Sequence, residues 1–162
     1  MFTRPPTAAE SLLIDGAEEK GESWSAPDDQ PEPEARPKRS PRACVLLVED
    51  DFLVGMEMET GLQEAGYEVA GVAATAEEAV ELARARRPAV VVMDIRLASE
   101  RDGVEAAIEI FEAFGIRSLF ASAHCDALTR TRAEAAFPLG WVAKPYRVET
   151  LLKAVEEALG QC

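Results

Sequence analysis

Unbroken apolar runs and one-sided helical stripes take turns along the chain from residue 43 onward. "CVLLV" (44–48) is apolar throughout and stops at Glu49, Asp50 and Asp51. Behind it Leu53, Val54, Met58, Leu62 and Ala65 recur at the spacing of one helix face, and Gly66 ends the pattern. "YEVAGVA" (67–73) reads as a short strand, and residues 76–86 as a helix with Thr75 as its N-cap and Pro88 just past its end. "AVVVMD" (89–94) is the next strand. The pattern then gives a helix over 104–114, a strand "RSLFASA" (117–123), a helix over 126–136, a strand "GWVAKPY" (140–146) and an amphipathic helix over 148–159.

These are five strand–helix units. Strands that are apolar on both faces belong in a parallel sheet covered by helices on each side, so the expected class is a doubly wound α/β sandwich. Ligands in such sheets gather at the carboxyl ends of the strands, where the chain order switches direction. The residues at those ends are therefore the place to look for chemistry.

The first strand ends in Glu49-Asp50-Asp51, the third in Asp94, the fourth in Ser122 and the fifth in Lys144-Pro145. Several carboxylates meeting at one sheet edge repel one another, and each disfavours ionisation of the next. A hard divalent cation relieves this. Mg²⁺ takes oxygen ligands octahedrally and commonly shares one or two carboxylates with a phosphate. A lysine adds a point charge of the same sign, and a serine hydroxyl donates a hydrogen bond to an anionic oxygen. Taken together the set suits phosphoryl transfer to a carboxylate. Asp94 is the nucleophile, Asp50 a direct metal ligand, Glu49 a ligand directly or through water, and the backbone carbonyl of Arg96 a further oxygen. Each piece also has a plainer explanation taken alone. Asp94 can be a helix cap, the Glu49-Asp50-Asp51 run an acidic first turn favoured by the helix dipole, and Lys144-Pro145 a simple turn.

Composition narrows the remaining classes. The chain of 162 residues carries a net charge of −13, which suits neither a phosphate-binding nucleic-acid surface nor an anionic membrane. No C-x-x-C pair links Cys44, Cys125 and Cys162, so neither a zinc ribbon nor a disulfide framework is expected. The longest apolar stretch near the N-terminus is Leu12-Leu13-Ile14, too short for a membrane span or signal core, and a cytoplasmic setting follows. Seven of the ten prolines fall before residue 42, marking residues 1–42 as a Pro-rich, mostly disordered tail. Within it Thr7 to Glu10 has capping-box spacing and is followed by Leu12, Leu13 and Ile14, the signature of a short helix over about 8–15.

Residues 43–160 resemble the receiver domain of two-component response regulators. "VLLVEDD" is similar to the family's acidic pair, at Glu49 and Asp50, and "VVVMDIRL" to its phosphoacceptor segment, at Asp94. "FASA" is similar to the segment holding the switch hydroxyl, at Ser122, and "VAKPY" to the Lys-Pro pair, at Lys144 and Pro145. The spacings fit as well, with Asp50 and Asp94 44 residues apart and Asp94 and Lys144 50 apart. The resemblance implies a flavodoxin-like sheet of order 2-1-3-4-5 and Mg²⁺ dependence, with Mn²⁺ as a substitute. It implies phosphoryl transfer from a sensor histidine kinase in a reaction that the domain itself catalyses, followed by autodephosphorylation. Ser122 then moves toward the phosphoryl group and an aromatic residue on the fifth strand, here Trp141, follows it. The implied output face, for an unknown downstream protein, is the fourth helix, fifth strand and fifth helix.

The chain departs from the family pattern in four ways. The loop after Asp94 lacks a proline and is about one residue longer before Asp102-Gly103. Trp141 is bulkier than the usual tyrosine, phenylalanine or histidine, Ser122 stands in place of the commoner threonine, and the tail lies outside the resemblance. Only Gly160, Gln161 and Cys162 follow the last helix, so a stand-alone receiver, monomeric or weakly dimeric, is expected: a phosphate sink, a shuttle or a phosphorylation-switched binding partner. The main alternative is a phosphorylation-independent pseudo-receiver that serves as an interaction module. A haloacid-dehalogenase-like phosphatase needs a second Asp two residues after the nucleophile, where Arg96 stands. His124 beside Ser122 is a candidate for tuning access to Asp94, and Cys125 reads as an ordinary thiol.

Overall fold

The structure is a computed structural model and describes residues 42–123 and 126–161. The elements run β1 (Cys44–Val48), α1 (Phe52–Glu64), β2 (Glu68–Ala73), α2 (Ala76–Arg86), β3 (Val90–Asp94), α3 (Gly103–Phe114), β4 (Ser118–Ser122), α4 (Ala127–Ala133), β5 (Gly140–Ala143) and α5 (Val148–Leu159). The five strands form one parallel sheet in the order β2-β1-β3-β4-β5. The doubly wound class and the strand order expected from the sequence are therefore both present. The tail helix over 8–15, His124 and Cys125 lie outside the described residues.

Period-2 alternation sorts the strand residues into two cores. Leu46, Val48, Val91, Met93 and Phe120 pack beneath α2, α3 and the α4 region, with Ala79, Ala83, Val104 and Ile110. Val45, Leu47, Val90, Val92, Leu119 and Val142 pack with Met58 and Leu62 of α1 and Leu151 and Val155 of α5. Both faces being covered is what allows β1, β3 and β4 to be apolar at nearly every position. Continuing the alternation one step past the strands puts Glu49, Asp94 and Lys144 in phase with the α1/α5 core. Ser122 and Trp141 are in phase with the opposite one.

Two element ends and one helix face differ notably from the sequence reading. The stretch read as a helix over 126–136 is a seven-residue α4 with Asp126 as its cap, tightening to a 3₁₀ turn at Glu134–Ala136. It stops because Phe137 adopts a left-handed conformation, φ 48°, ahead of Pro138. β5 ends at Ala143, not at 146, since Pro145 has no N–H to give to a ladder. On α1, Leu53 does not join the core face: Phe52, Leu53 and Met56 are all exposed, and Gly55, Met58, Gly61 and Leu62 are buried instead. Gly55 and Gly61 bring the α1 backbone close to Val72 and Val148, and that sets the stripe.

One core position is mismatched. Ser118 is fully buried, and its hydroxyl has no hydrogen-bond partner among the described residues. An unpaired buried hydroxyl costs about 1–3 kcal/mol, so Ser118→Ala is expected to raise stability by about 1 kcal/mol. Thermal denaturation of the two proteins checks this, and a lower Tm for the alanine variant would count against it.

Candidate functional site

Glu49, Asp94 and Lys144 meet because three parallel strands end at the same level. β1 and β3 are direct neighbours, with Val48 paired to Met93, and Asp94 pairs with Ala121 on β4. Ser122 in turn pairs with Ala143, immediately before Lys144. Asp94 and Ser122 thus sit at the carboxyl ends of adjacent strands, each about 7% exposed. Asp50 is exposed at the rim. One carboxylate oxygen from each of Glu49, Asp50 and Asp94 lies within 4.8 Å of the others.

Lys144 answers part of that negative charge. Its Nζ donates to Glu49 Oε2 at 2.5 Å and to Asp94 Oδ2 at 2.6 Å. The second oxygen of Asp94 accepts the backbone N–H of Arg96 at 3.3 Å, and Glu49 Oε1 accepts that of Asp51 at 3.4 Å. Burial pushes the Glu49 carboxyl above its usual range; the Lys144 hydrogen bond and charge oppose this, and the nearby Asp94 charge reinforces it. Burial alone would lower the Lys144 ammonium. The hydrogen bonds and charges of Asp94 and Glu49 outweigh it and hold the group above its ordinary value. Next to it, burial pushes the Tyr146 phenol up to about 12. All three carboxylates are hard oxygen donors, and this donor set fits a Mg²⁺-sized cation.

Asp51, grouped with the acidic run in the sequence, does something else. Its side chain accepts the N–H groups of Leu53 at 2.9 Å and Val54 at 3.2 Å, so it caps α1. That leaves Glu49, Asp50 and Asp94 as the converging trio.

Ser122 and Trp141 lie on the neighbouring face. Trp141 stacks on Phe120, with ring centroids 4.7 Å apart and planes 19° from parallel. The Arg130 guanidinium of α4 stands over the Trp141 ring at 4.9 Å. Ser122, Arg130, Trp141 and Val142 line a cavity of about 140 Å³. The Lys144–Pro145 peptide is cis, and Pro145 lines a second, apolar cavity of about 250 Å³ with Val54, Met58 and Tyr146.

The sequence reading missed Gly103. Its N–H donates to the Ile95 carbonyl at 2.9 Å, and a Cβ placed on it would stand 1.8 Å from the carbonyl oxygen of Asp94. The signal was present in "DGVE": Asp102 and Glu105 form a full capping box, which starts α3 at Gly103 rather than at Val104. The reading also missed the ties of the 95–102 loop to its neighbours. Those are long-range ion pairs that no local pattern marks.

Comparison with known proteins agrees with this geometry. Residues 45–156 match the model of the response regulator receiver domain. The chain is 36% identical over 119 residues to the transcriptional regulatory protein PdtaR of Mycobacterium tuberculosis, covering 72% of this chain and 57% of that one. It is 32% identical over 117 residues to the phyllosphere-induced regulator PhyR of Methylorubrum extorquens, covering 71% and 43%. The match thus spans about half the length of these relatives. Among solved structures, the signal receiver domain of a modulated diguanylate cyclase from Desulfovibrio desulfuricans superposes with a TM-score of 0.68 at 34% identity, covering 74% of this chain and 94% of that one. The chemotaxis protein CheY4 of Vibrio cholerae does so at 0.67 and 28%, covering 72% and 98%. With sheet order, strand-end residues and family model in agreement, the chain belongs to the response regulator receiver domain family.

Proposed function

We propose that this receiver domain accepts a phosphoryl group on Asp94 from a sensor histidine kinase, in a reaction that requires Mg²⁺. One observation carries the reading: the Lys144 ammonium bridges Asp94 and Glu49 while three carboxylates converge within 4.8 Å. An interaction module would have no use for so concentrated and incompletely neutralised a charge.

Glu49, Asp50, Asp94 and the Arg96 carbonyl would hold the cation. Once bound, it neutralises charge on the transferring phosphoryl oxygens. A carboxylate oxygen of Asp94 attacks phosphorus, and the P–N bond to the kinase imidazole breaks with its electron pair leaving on nitrogen. Lys144 exchanges a carboxylate oxygen for a phosphoryl oxygen and stabilises the equatorial charge. Ser122, on the strand beside Asp94, donates its hydroxyl to the same group. Hydrolysis of the acyl phosphate then returns the domain to its starting state. Trp141, held between Phe120 and Arg130, is the residue through which that change reaches the surface of α4, β5 and α5 for a downstream protein. Among the described residues no helix is long and apolar enough to cross a membrane.

The test is intact-mass spectrometry after incubation with acetyl phosphate, with and without Mg²⁺. The expected result is one added phosphoryl group on the wild type with the metal, and none on Asp94→Asn or without metal. No adduct together with no Mg²⁺ binding would favour a phosphorylation-independent interaction module instead.

A further inference from the structure

The loop from Ile95 to Asp102 carries the Arg96 carbonyl and the N–H that steadies Asp94, yet it contains no proline and little that is buried. Its two ends are fixed. At the start, Arg96 N–H reaches Asp94; at the finish, Gly103 N–H bonds back to Ile95 and Asp102 caps α3. The middle is held from outside. Ser99 Oγ donates to the Arg101 carbonyl at 2.7 Å and accepts the N–H of Ala76, the first residue of α2, at 3.4 Å. The Arg101 guanidinium lies between two helices, 2.5 Å from Glu109 of α3 and 3.9 Å from Glu77 of α2. Neither α2 nor these carboxylates has any part in the proposed chemistry.

From these ties we infer that Ser99 and Arg101 are positioning residues, which staple the 95–102 loop to the first turn of α2 and to α3 and so keep the Arg96 carbonyl available to the cation. The inference rests on the proposed reading of the site. The physical case is entropic. Ile95 and Leu97 anchor the first half of the loop in the core, but the stretch from Ala98 to Asp102 buries nothing, and each unheld residue there costs about 1–2 kcal/mol to order when a ligand binds. Ordering it beforehand moves that cost from metal binding to folding, where the ion pairs and the Ser99 bonds offset it.

The sign of the effect separates this role from simple electrostatics. Arg101 carries a positive charge, so deleting it would leave metal binding unchanged or tighter if charge were all that mattered. Loss of the staple weakens it. Mg²⁺ affinity is measured by titration calorimetry on the full chain for wild type, Arg101→Ala, Arg101→Lys and Ser99→Ala. The expected result is about tenfold weaker binding by Arg101→Ala, the size typical of residues that orient a ligand. Arg101→Lys should fall between, because an ammonium keeps the charge without the two-sided fork. Tm should stay within about 3 °C of wild type, since partly exposed ion pairs contribute little to stability. Equal or tighter binding by Arg101→Ala overturns the inference and leaves the proposed function standing. Absence of Mg²⁺ binding by the wild type overturns both.

Discussion

Replacing Lys144 with methionine is expected to lower the stability of the metal-free protein at pH 7 by about 3 kcal/mol. Methionine keeps an apolar stem of similar length, which lines one cavity together with Val54, Met58, Pro145 and Tyr146, so the change isolates the ammonium. What is lost is the charge shared by Glu49 and Asp94, each under a tenth exposed, and their repulsion is then uncompensated. Breaking a buried pair costs about 3–5 kcal/mol. The low end applies because Glu49, already raised by burial, can escape by taking up a proton. The pH dependence follows with a definite sign. A carboxyl whose folded pKa lies above its unfolded one binds protons more readily when folded, so the folded state gains as pH falls through that range and loses as pH rises. The deficit of the variant should therefore be largest at neutral pH and shrink toward pH about 4.5, the ordinary glutamate value. In a domain of this size about 3 kcal/mol is a Tm difference near 10 °C. Added Mg²⁺ should recover part of it by supplying the missing positive charge, while phosphorylation by acetyl phosphate falls about a hundredfold. Circular-dichroism melts at the two pH values, with chelator or with Mg²⁺, are the check. Equal melting of the two proteins in chelator would show that the bridge contributes nothing.

How legible all this was in the sequence depends on the range of the forces involved. Continuous apolar strands that alternate with helical stripes announce a parallel sheet covered on both faces, and their carboxyl-end residues announce the site because a doubly wound sheet gathers them there. Glu49, Asp50, Asp94 and Lys144 were thus visible as a set in the sequence; the structure brings the three carboxylates within 4.8 Å of one another and bonds Lys144 to Glu49 and Asp94. Leu53 was misread because a helix stripe is defined to within one residue, and the close approach of Gly55 to Val72 rotates it. Asp51 was left without a role of its own because acid run and N-cap share one composition, and only the Leu53 and Val54 N–H directions distinguish them. The pairs of Arg101 with Glu77 and of Arg132 with Asp102, the latter at 2.8 Å, join elements far apart in the chain. A single sequence carries no mark of such pairs.

Gly103→Ala is expected to be the most damaging small substitution in the domain, costing about 3 kcal/mol or more and abolishing metal binding. In an ordinary helix the change would stabilise by about 1 kcal/mol, because alanine is the better helix former. Here the added methyl would lie 1.8 Å from the Asp94 carbonyl oxygen, 2.9 Å from its carbon and 3.1 Å from Met93 Cγ. The nearest of these are backbone atoms in a sheet strand, which cannot swing aside. Either α3 backs away, breaking the Gly103–Ile95 hydrogen bond and the Asp102–Glu105 box, or β3 gives way at Asp94 itself. The first route loosens the loop that follows Asp94, and the second shifts Asp94, the proposed nucleophile, directly. Gly61→Ala supplies the control. Its methyl would also collide, but with the Val148 side chain where α1 meets α5. That variant should lose stability yet bind Mg²⁺ like the wild type at a temperature where it is folded. If Gly103→Ala melts near the wild type and still takes up the metal, the tight seat of α3 on Asp94 is not what holds that side chain in place.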